Sequence, residues 1–146
     1  MPQNTTTAQT LYDTWNRRDF DHFAELMADG EIVSAGSGQR FEGANGARAF
    51  ASMWADAFPD GRIAIDNVIE AGDHVAVEFT GTGTQTGTLA SQAGDIPATG
   101  RSVTLKFCDV FDFREGKIAS IRTYFDSTAL LTQLGVMPEA EAARTA

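Results

Sequence analysis

The segment GKIASIRTYFD, residues 116–126, has the strongest strand signal in the chain and ends on a carboxylate. It starts at a glycine turn and is rich in β-branched and aromatic residues, which favour strands. Because strand side chains alternate between faces, one face is predicted to carry Ile118, Ser120, Arg122, Tyr124 and Asp126. A face that mixes Arg, Tyr and Asp is polar for a core, so we interpret it as one wall of a pocket.

The neighbouring segments extend this strand into a sheet. Residues 102–113 form a long strand pattern with Asp109 on an otherwise apolar face, and residues 114–116 turn it into the opening segment. Residues 62–69 and 74–88 are two further strands, and residues 63, 65 and 69 are isoleucines predicted to share a face. Glycines within residues 80–87 indicate bends or bulges.

The N-terminal half is mostly helical. Thr6 and Gln9 fit a capping box for a first helix, and Asp19 or Asp21 is predicted to cap a second. Two short strands follow at residues 31–35 and 39–41. Asn45 is predicted to cap a third helix, whose apolar stripe comprises Ala47, Phe50, Ala51, Trp54, Ala55 and Phe58 before Pro59 stops it.

This order of elements predicts an α+β fold in which one strongly bent antiparallel sheet wraps around the helices as a cone-shaped barrel. A short helix at residues 128–134 would follow the last strand. We expect a single domain over residues 1–146, with a core at about 8–136 and a tail at 137–146.

Composition excludes several classes of function. The net charge of −9 argues against binding nucleic acid or an anionic membrane surface. Cys108 is the only cysteine, and neither a signal peptide nor a membrane-spanning apolar run is evident, so a cytoplasmic location is the simplest expectation. No His, Cys or carboxylate cluster has metal-ligand spacing, so we expect no metal.

A strand register suggests the candidate site. If Phe113 pairs with Ile118, Asp109 lies opposite Arg122 and Phe107 lies opposite Tyr124. A carboxylate beside Arg stays ionised, whereas one among Phe side chains has a raised pKa, which supplies a base and an acid from similar groups. The predicted catalytic residues are therefore Asp126, Asp109 and Arg122.

Structural interpretations of the same residues stay open. Asp126 precedes a helix and suits an N-cap, and Asp109 with Arg122 suits a plain cross-strand ion pair. Tyr124 and Trp54 also suit a core.

An ordered set of short motifs resembles the SnoaL-like polyketide cyclases, which have the nuclear-transport-factor-two-like (cystatin-like) fold. The motifs are Phe58-Pro59-Asp60, Gly83-Thr84-Gln85-Thr86-Gly87, Pro97-Ala98-Thr99-Gly100, Glu115-Gly116-Lys117-Ile118, and Asp126 followed by residues 130–135. The resemblance covers about residues 8–136. It implies a cone with an internal pocket, a homo-oligomer (dimer or tetramer), and cofactor-free closure of a polyketide ester ring by an intramolecular aldol step. Asp126 matches the family's general acid/base.

The chain departs from the family at Gln85, where the family often has His; a Gln side chain cannot take a proton at neutral pH. Our leading hypothesis is a cyclase of this type acting on a small hydrophobic or aromatic substrate. The residues predicted to shape its pocket are Trp54, Gln85, Phe107, Tyr124 and Phe41. Alternatives are an epoxide hydrolase-like reaction using an Asp–Arg–Asp set, another isomerase or lyase activity in the same pocket, and a non-catalytic ligand-binding or assembly module.

Overall fold

A six-stranded, strongly curved sheet forms one side of the molecule. The computed structural model describes residues 3–91 and 94–137. The strands are β1 (Glu31–Ser34), β2 (Arg40–Glu42), β3 (Arg62–Ala71), β4 (His74–Thr84), β5 (Ser102–Arg114) and β6 (Lys117–Phe125). Their order across the sheet is β2-β1-β6-β5-β4-β3. Neighbouring strands are antiparallel, except that β1 and β6 pair in parallel.

Four helices accompany this sheet in the described residues: α1 (Gln3–Asn16), α2 (Phe20–Leu26), α3 (Gly43–Ala57) and α4 (Ser127–Gln133). The buried face of α1 includes Leu11, Tyr12 and Trp15, which belong to the main apolar core. The small residues Ala47 and Ala51 are fully buried on α3 and let that helix lie close to its neighbours. The predicted α+β fold is therefore confirmed.

Helix starts differ from the predicted caps at two of four positions. Asp19 caps α2, where its side chain accepts a hydrogen bond from the backbone N–H of His22 at 3.2 Å. By contrast, α1 extends back to Gln3, before Thr6, and α3 starts at Gly43, so the caps predicted at Thr6 and Asn45 are wrong. At each of these earlier starts a backbone N–H bonds to a distant part of the chain: Thr5 N–H donates to Glu70 Oε1 at 2.9 Å, and Gly43 N–H donates to Gly30 O at 2.8 Å.

One bulge in β6 changes which side chains face inward. Phe113 pairs with Ile118 as predicted, but Asp112 pairs with Ser120, so Ala119 is an extra residue in β6. Side chains after Ala119 therefore change faces, because the alternation restarts one residue later. Ile121, Thr123 and Phe125 point inward, whereas Ser120, Arg122 and Tyr124 point outward. The predicted shared face of the opening segment is wrong beyond Ile118.

A second bulge corrects the prediction for β3. Ile65 pairs with Phe79 and Asn67 pairs with Glu78, which leaves Asp66 as the extra residue. Ile63, Ile65 and Val68 consequently pack against the core, while Ile69 is 56% exposed rather than sharing their face.

The described ranges contain no helix that is long and apolar enough to cross a membrane. The single domain over residues 1–146 stays a prediction, because most of the predicted tail, residues 138–146, lies outside the described part of the chain.

Candidate active site

The curved sheet and the helices form a partly open cavity of about 90 Å³, which we call the inner chamber. Its walls come from α1, α2, α3 and the inner faces of the strands, and they are almost entirely apolar. Aromatic residues among its lining include Tyr12, Phe50, Trp54, Phe58, Phe79 and Phe107. Asp109, on the inner face of β5, is the only carboxylate among its lining residues. A single acidic group therefore faces a water-poor, aromatic space.

Asp109 is buried with only one of its carboxylate oxygens well bonded. The hydroxyl of Tyr12 donates a hydrogen bond to Oδ2 at 2.7 Å. Oδ1 is buried without a hydrogen-bond partner among the described residues. Thr123 lies opposite Asp109 on β6, and its hydroxyl lies near enough to lower the pKa of Asp109 against the effect of burial. Native proteins rarely leave a buried oxygen unpaired, so Oδ1 is a position at which a ligand can bind.

Burial dominates the electrostatics of Asp109. Removal from water raises its pKa from 3.8 to about 6, against the lowering effects of Thr123 and Tyr12. Burial, together with the charge of Asp109, also raises the pKa of Tyr12 well above its ordinary value, so this phenol stays protonated and remains a donor. The pair thus offers a carboxylate that can exchange a proton near neutral pH and a fixed hydroxyl that orients it.

Tyr12 is a functional candidate that the sequence analysis did not identify. Its spacing predicts a core position of the first helix, and its ring does pack at 4.9 Å from Phe79 and 6.0 Å from Phe111, centroid to centroid. A tyrosine on a helix's apolar stripe needs a partner for its hydroxyl when buried. An Asp on an otherwise apolar strand face is the complementary signal, and together they could have indicated this pair.

A larger cavity of about 390 Å³, which we call the outer cleft, lies beside the inner chamber. It is bounded by the β1–β2 hairpin, α3, α4 and part of the segment at residues 89–96. Phe41, one of the predicted pocket residues, lines it. Phe50, Trp54 and Leu130 line both cavities and form their common boundary.

Asp126 lies away from both cavities. Its side chain is exposed and accepts a hydrogen bond from the backbone N–H of Ala129 at 3.0 Å, which makes it the N-cap of α4. It is absent from the lining of either cavity. The structural interpretation of this residue is therefore the one that its geometry supports, while a catalytic role for it stays a prediction.

Arg122 does not meet Asp109. The bulge at Ala119 places Arg122 on the outer face, where its guanidinium donates to Asp112 Oδ2 at 2.6 Å. The same carboxylate accepts from Ser120 and contacts His74. Arg122, opposing burial, lowers the pKa of Asp112 to about 2 together with these neighbours. The predicted Asp109–Arg122 contact is wrong, and its partner is an acid three residues further along β5.

Of the remaining predicted pocket residues, two line the inner chamber and two lie outside both cavities. Trp54 and Phe107 line the inner chamber as expected. Tyr124 is 46% exposed on the outer face, opposite Cys108 rather than Phe107. Gln85 is fully buried but lines neither cavity; its side chain donates to Ile96 O at 3.1 Å and accepts from Thr99 Oγ1 at 2.8 Å. It braces the segment before β5.

A metal centre has no ligand set in the described ranges, where no group of three His, Cys, Asp or Glu residues comes together. The side chains with hydroxyl or charged groups that line the inner chamber are Tyr12, Arg62, Thr82, Asp109 and Thr123. Of these, Tyr12 and Thr123 lie beside Asp109.

Solved structures support the fold. A SnoaL-like polyketide cyclase from Jannaschia sp. CCS1 superposes with a TM-score of 0.77 at 24% identity, covering 93% of this chain and 94% of that one. AclR from Streptomyces galilaeus, described as a hydroxylase, superposes with a TM-score of 0.79 at 20% identity, covering 100% of this chain and 95% of that one. IdmH, described as a polyketide cyclase from Streptomyces antibioticus, superposes with a TM-score of 0.74 at 24% identity, covering 92% of this chain and 99% of that one.

Sequence comparison identifies the family more directly. No curated protein sequence matches the chain significantly. The sequence model of the SnoaL-like polyketide cyclase family, however, matches residues 5–134, which span nearly all the described elements. The resemblance carried by the short motifs is thereby confirmed, and the chain belongs to the SnoaL-like polyketide cyclase family.

Proposed function

We propose that the chain catalyses ring closure of a polyketide by an intramolecular aldol addition, with Asp109 as general acid/base. The observation that carries this proposal is the buried carboxylate of Asp109, which lines an apolar cavity, has no hydrogen-bond partner for Oδ1 among the described residues, and has its pKa raised to about 6. Family membership supports the substrate class. The acid/base role passes from Asp126 to Asp109, because Asp126 is exposed and engaged as a helix cap.

The reaction needs one proton to move twice. Ionised Asp109 removes a proton from a carbon next to a carbonyl, and the resulting enolate attacks a second carbonyl of the same molecule. The new carbon–carbon bond leaves an alkoxide, to which the protonated Asp109 returns the proton. No proton is gained or lost overall. A carboxyl with a pKa near neutrality suits both half-steps, since it is neither too weak a base nor too weak an acid.

Tyr12 is a positioning residue in this scheme. Its hydrogen bond fixes Oδ2 of Asp109, which leaves Oδ1 as the oxygen that exchanges the proton. The apolar walls exclude water and hold the flexible substrate near its attack geometry, an effect that is worth several kcal/mol in ring closures. All of these roles use side chains alone.

Two other functions have less support. An epoxide hydrolase-like reaction needs an Asp–Arg–Asp set, and Arg122 instead binds Asp112 on the outer face. A non-catalytic binder would use the same cavity but gives no reason for a buried, half-bonded carboxylate, which costs stability. Homo-oligomerisation and a cytoplasmic location stay predictions.

The test compares Asp109→Asn with Asp126→Asn. The amide introduced by Asp109→Asn keeps the shape and can accept the Tyr12 hydrogen bond but cannot carry the proton, so turnover of an aromatic polyketide ester is expected to fall by about 10²–10⁴-fold. Asp126→Asn preserves the helix cap, because Asn and Asp cap equally well, and turnover is expected to stay within about twofold of the parent. Product is measured by chromatography and identified as an isomer of the substrate.

Exchange of the substrate's α-protons for deuterium provides a second readout, because it reports proton abstraction even where ring closure is slow. Loss of exchange in Asp126→Asn with full exchange in Asp109→Asn would contradict the assignment and return the acid/base role to Asp126. Tight retention of substrate without exchange or closure in the parent protein would favour the binding module.

A further inference from the structure

The inner chamber is too small for the substrate that the proposed function requires. Its volume is about 90 Å³. For comparison, an engineered apolar cavity of about 150 Å³ holds a single benzene molecule. A polyketide that closes a ring has more atoms than one benzene, so most of it must lie outside the inner chamber even when its reacting part contacts Asp109.

The outer cleft is the adjoining space, and it is more than four times larger, at about 390 Å³. Its lining differs from that of the inner chamber. It combines apolar residues such as Phe41, Met53 and Leu131 with residues that carry hydroxyl or amide groups, namely Ser34, Gln39 and Ser127. A molecule that extends into it would meet both apolar surface and hydrogen-bonding groups, a lining suited to rings that carry hydroxyl or carbonyl groups.

Trp54 is the central residue of the boundary. Its ring packs at 5.8 Å from Phe107, which lines the inner chamber, and at 5.6 Å from Phe125, which lines the outer cleft. Trp15 Nε1 donates to Ala51 O at 3.2 Å, whereas the indole N–H of Trp54 has no such partner among the described residues. Trp54 is also only half-buried, so a hydrogen-bond donor is available where the two spaces meet.

We propose that the inner chamber and the outer cleft are two subsites of one elongated substrate, with Trp54 at the crossing. The inner chamber takes one ring-sized apolar part and presents it to Asp109. The outer cleft takes a larger aromatic part with oxygen substituents, and the indole N–H of Trp54 donates to an acceptor near the junction. This inference rests on the proposed function for the identity of the reacting end, but it concerns binding and can be tested without turnover.

The test uses a matched pair of probes, phenol and 4-phenylphenol, which differ by one ring in line with the first. Calorimetric titration is expected to give at least about tenfold tighter binding of 4-phenylphenol to the parent protein. Extra affinity alone does not locate the second ring, because any additional apolar surface strengthens binding. The variants below therefore carry the argument.

Ser127→Trp fills the outer cleft from the first turn of α4, while Thr128→Trp is the matched control because Thr128 is equally exposed and lies outside the lining. Ser127→Trp is expected to weaken the binding of 4-phenylphenol at least about tenfold and to leave the affinity for phenol within about twofold of that of the parent. Thr128→Trp is expected to change neither affinity by more than about twofold. Gln39→Trp fills the same cleft from the β1–β2 hairpin and replaces Ser127→Trp if that variant does not fold.

Equal effects of Ser127→Trp and Thr128→Trp on 4-phenylphenol would overturn the two-subsite proposal, as would 4-phenylphenol binding the parent no more tightly than phenol. Loss of phenol binding in Ser127→Trp would also overturn it, since the first ring would then lie in the cleft. Asp109→Asn separates this proposal from the catalytic one. If that variant turns substrate over normally while the probe results hold, the subsites stand and the acid/base assignment fails.

Discussion

Replacing Asp109 with Asn should make the protein more stable at neutral and alkaline pH. Burial raises the pKa of this carboxyl from 3.8 to about 6, so ionising it costs more in the folded state than in the unfolded chain. A shift of this size corresponds to about 3 kcal/mol of unfolding free energy, at about 1.4 kcal/mol for each pH unit. The amide of Asn carries no charge and avoids this cost.

The direction of the pH dependence of stability follows from proton binding to Asp109. Between pH 3.8 and about 6 the folded state holds the Asp109 proton more tightly than the unfolded state does. The stability of the parent therefore declines as the pH rises through this window, and the contribution of Asp109 is fully favourable only below it. Because other carboxylates titrate in the same range, the quantity to follow is the difference between parent and variant, in which their contributions cancel.

The measurement is urea unfolding of both proteins at about pH 4 and about pH 8. The stability of Asp109→Asn relative to the parent should increase by about 2.5 kcal/mol between the two conditions, because about 0.5 kcal/mol of the effect is already present at about pH 4; this is a midpoint change of about 1–2.5 M urea. Asp126→Asn is the control and should differ from the parent by less than about 0.5 kcal/mol at about pH 8, because it is an exposed change that keeps the cap. A pH-independent difference for Asp109→Asn would refute the claim that folding removes this carboxylate from water.

Three further outcomes follow from the same contacts. The activity should rise with pH through a midpoint near 6, because the ionised form of Asp109 is the base, and Tyr12→Phe should move that midpoint upward in a pH–rate profile, since Tyr12 lowers the pKa of Asp109. Gln85→Ala should lower the unfolding free energy by about 3 kcal/mol in urea titrations, because the groups of Ile96 and Thr99 that it binds lose their partner. An unchanged value would show that water replaces the amide. Gly30→Ala should lower the unfolding free energy by about 1–3 kcal/mol in the same assay, because a Cβ there would lie 2.5 Å from the carbonyl oxygen of Ile118, beside the bulge. Gly36→Ala is the control, because a Cβ at that position meets nothing within 4 Å.

The fold was predictable because its signals are local and repeated. A capping box marked α1, an apolar stripe at helical spacing marked α3, and strand patterns bounded by glycines marked β4, β5 and β6. Helix starts were less predictable. Thr6 and Asn45 have the chemistry of a cap, but both helices begin before them, where the backbone N–H groups of Thr5 and Gly43 donate to Glu70 and Gly30 from elsewhere in the chain. Asp19 and Asp126, by contrast, each directly precede the first residue of a short helix, and both caps form.

The site was only partly predictable, because the side chains that surround Asp109 depend on the bulge at Ala119 in β6. Asp109 could be singled out, since a carboxylate on a face of Val, Leu and Phe must be buried wherever β5 packs. Its neighbours could not be assigned without the position of the bulge. A regular strand from Ile118 would have turned Arg122 toward Asp109, whereas the extra residue at Ala119 turns Thr123 there instead.

The sequence does carry a sign of that bulge. Ile118 and Ile121 are both buried, yet residues three apart lie on opposite faces of a regular strand. The same odd spacing separates Ile65 from Val68 around the bulge in β3. In both strands the apolar pattern breaks its period of two where one residue is inserted. This break has a chemical consequence in β6: a cation beside Asp109 would hold its pKa low, and excluding Arg122 is what leaves the carboxyl able to exchange a proton near neutral pH.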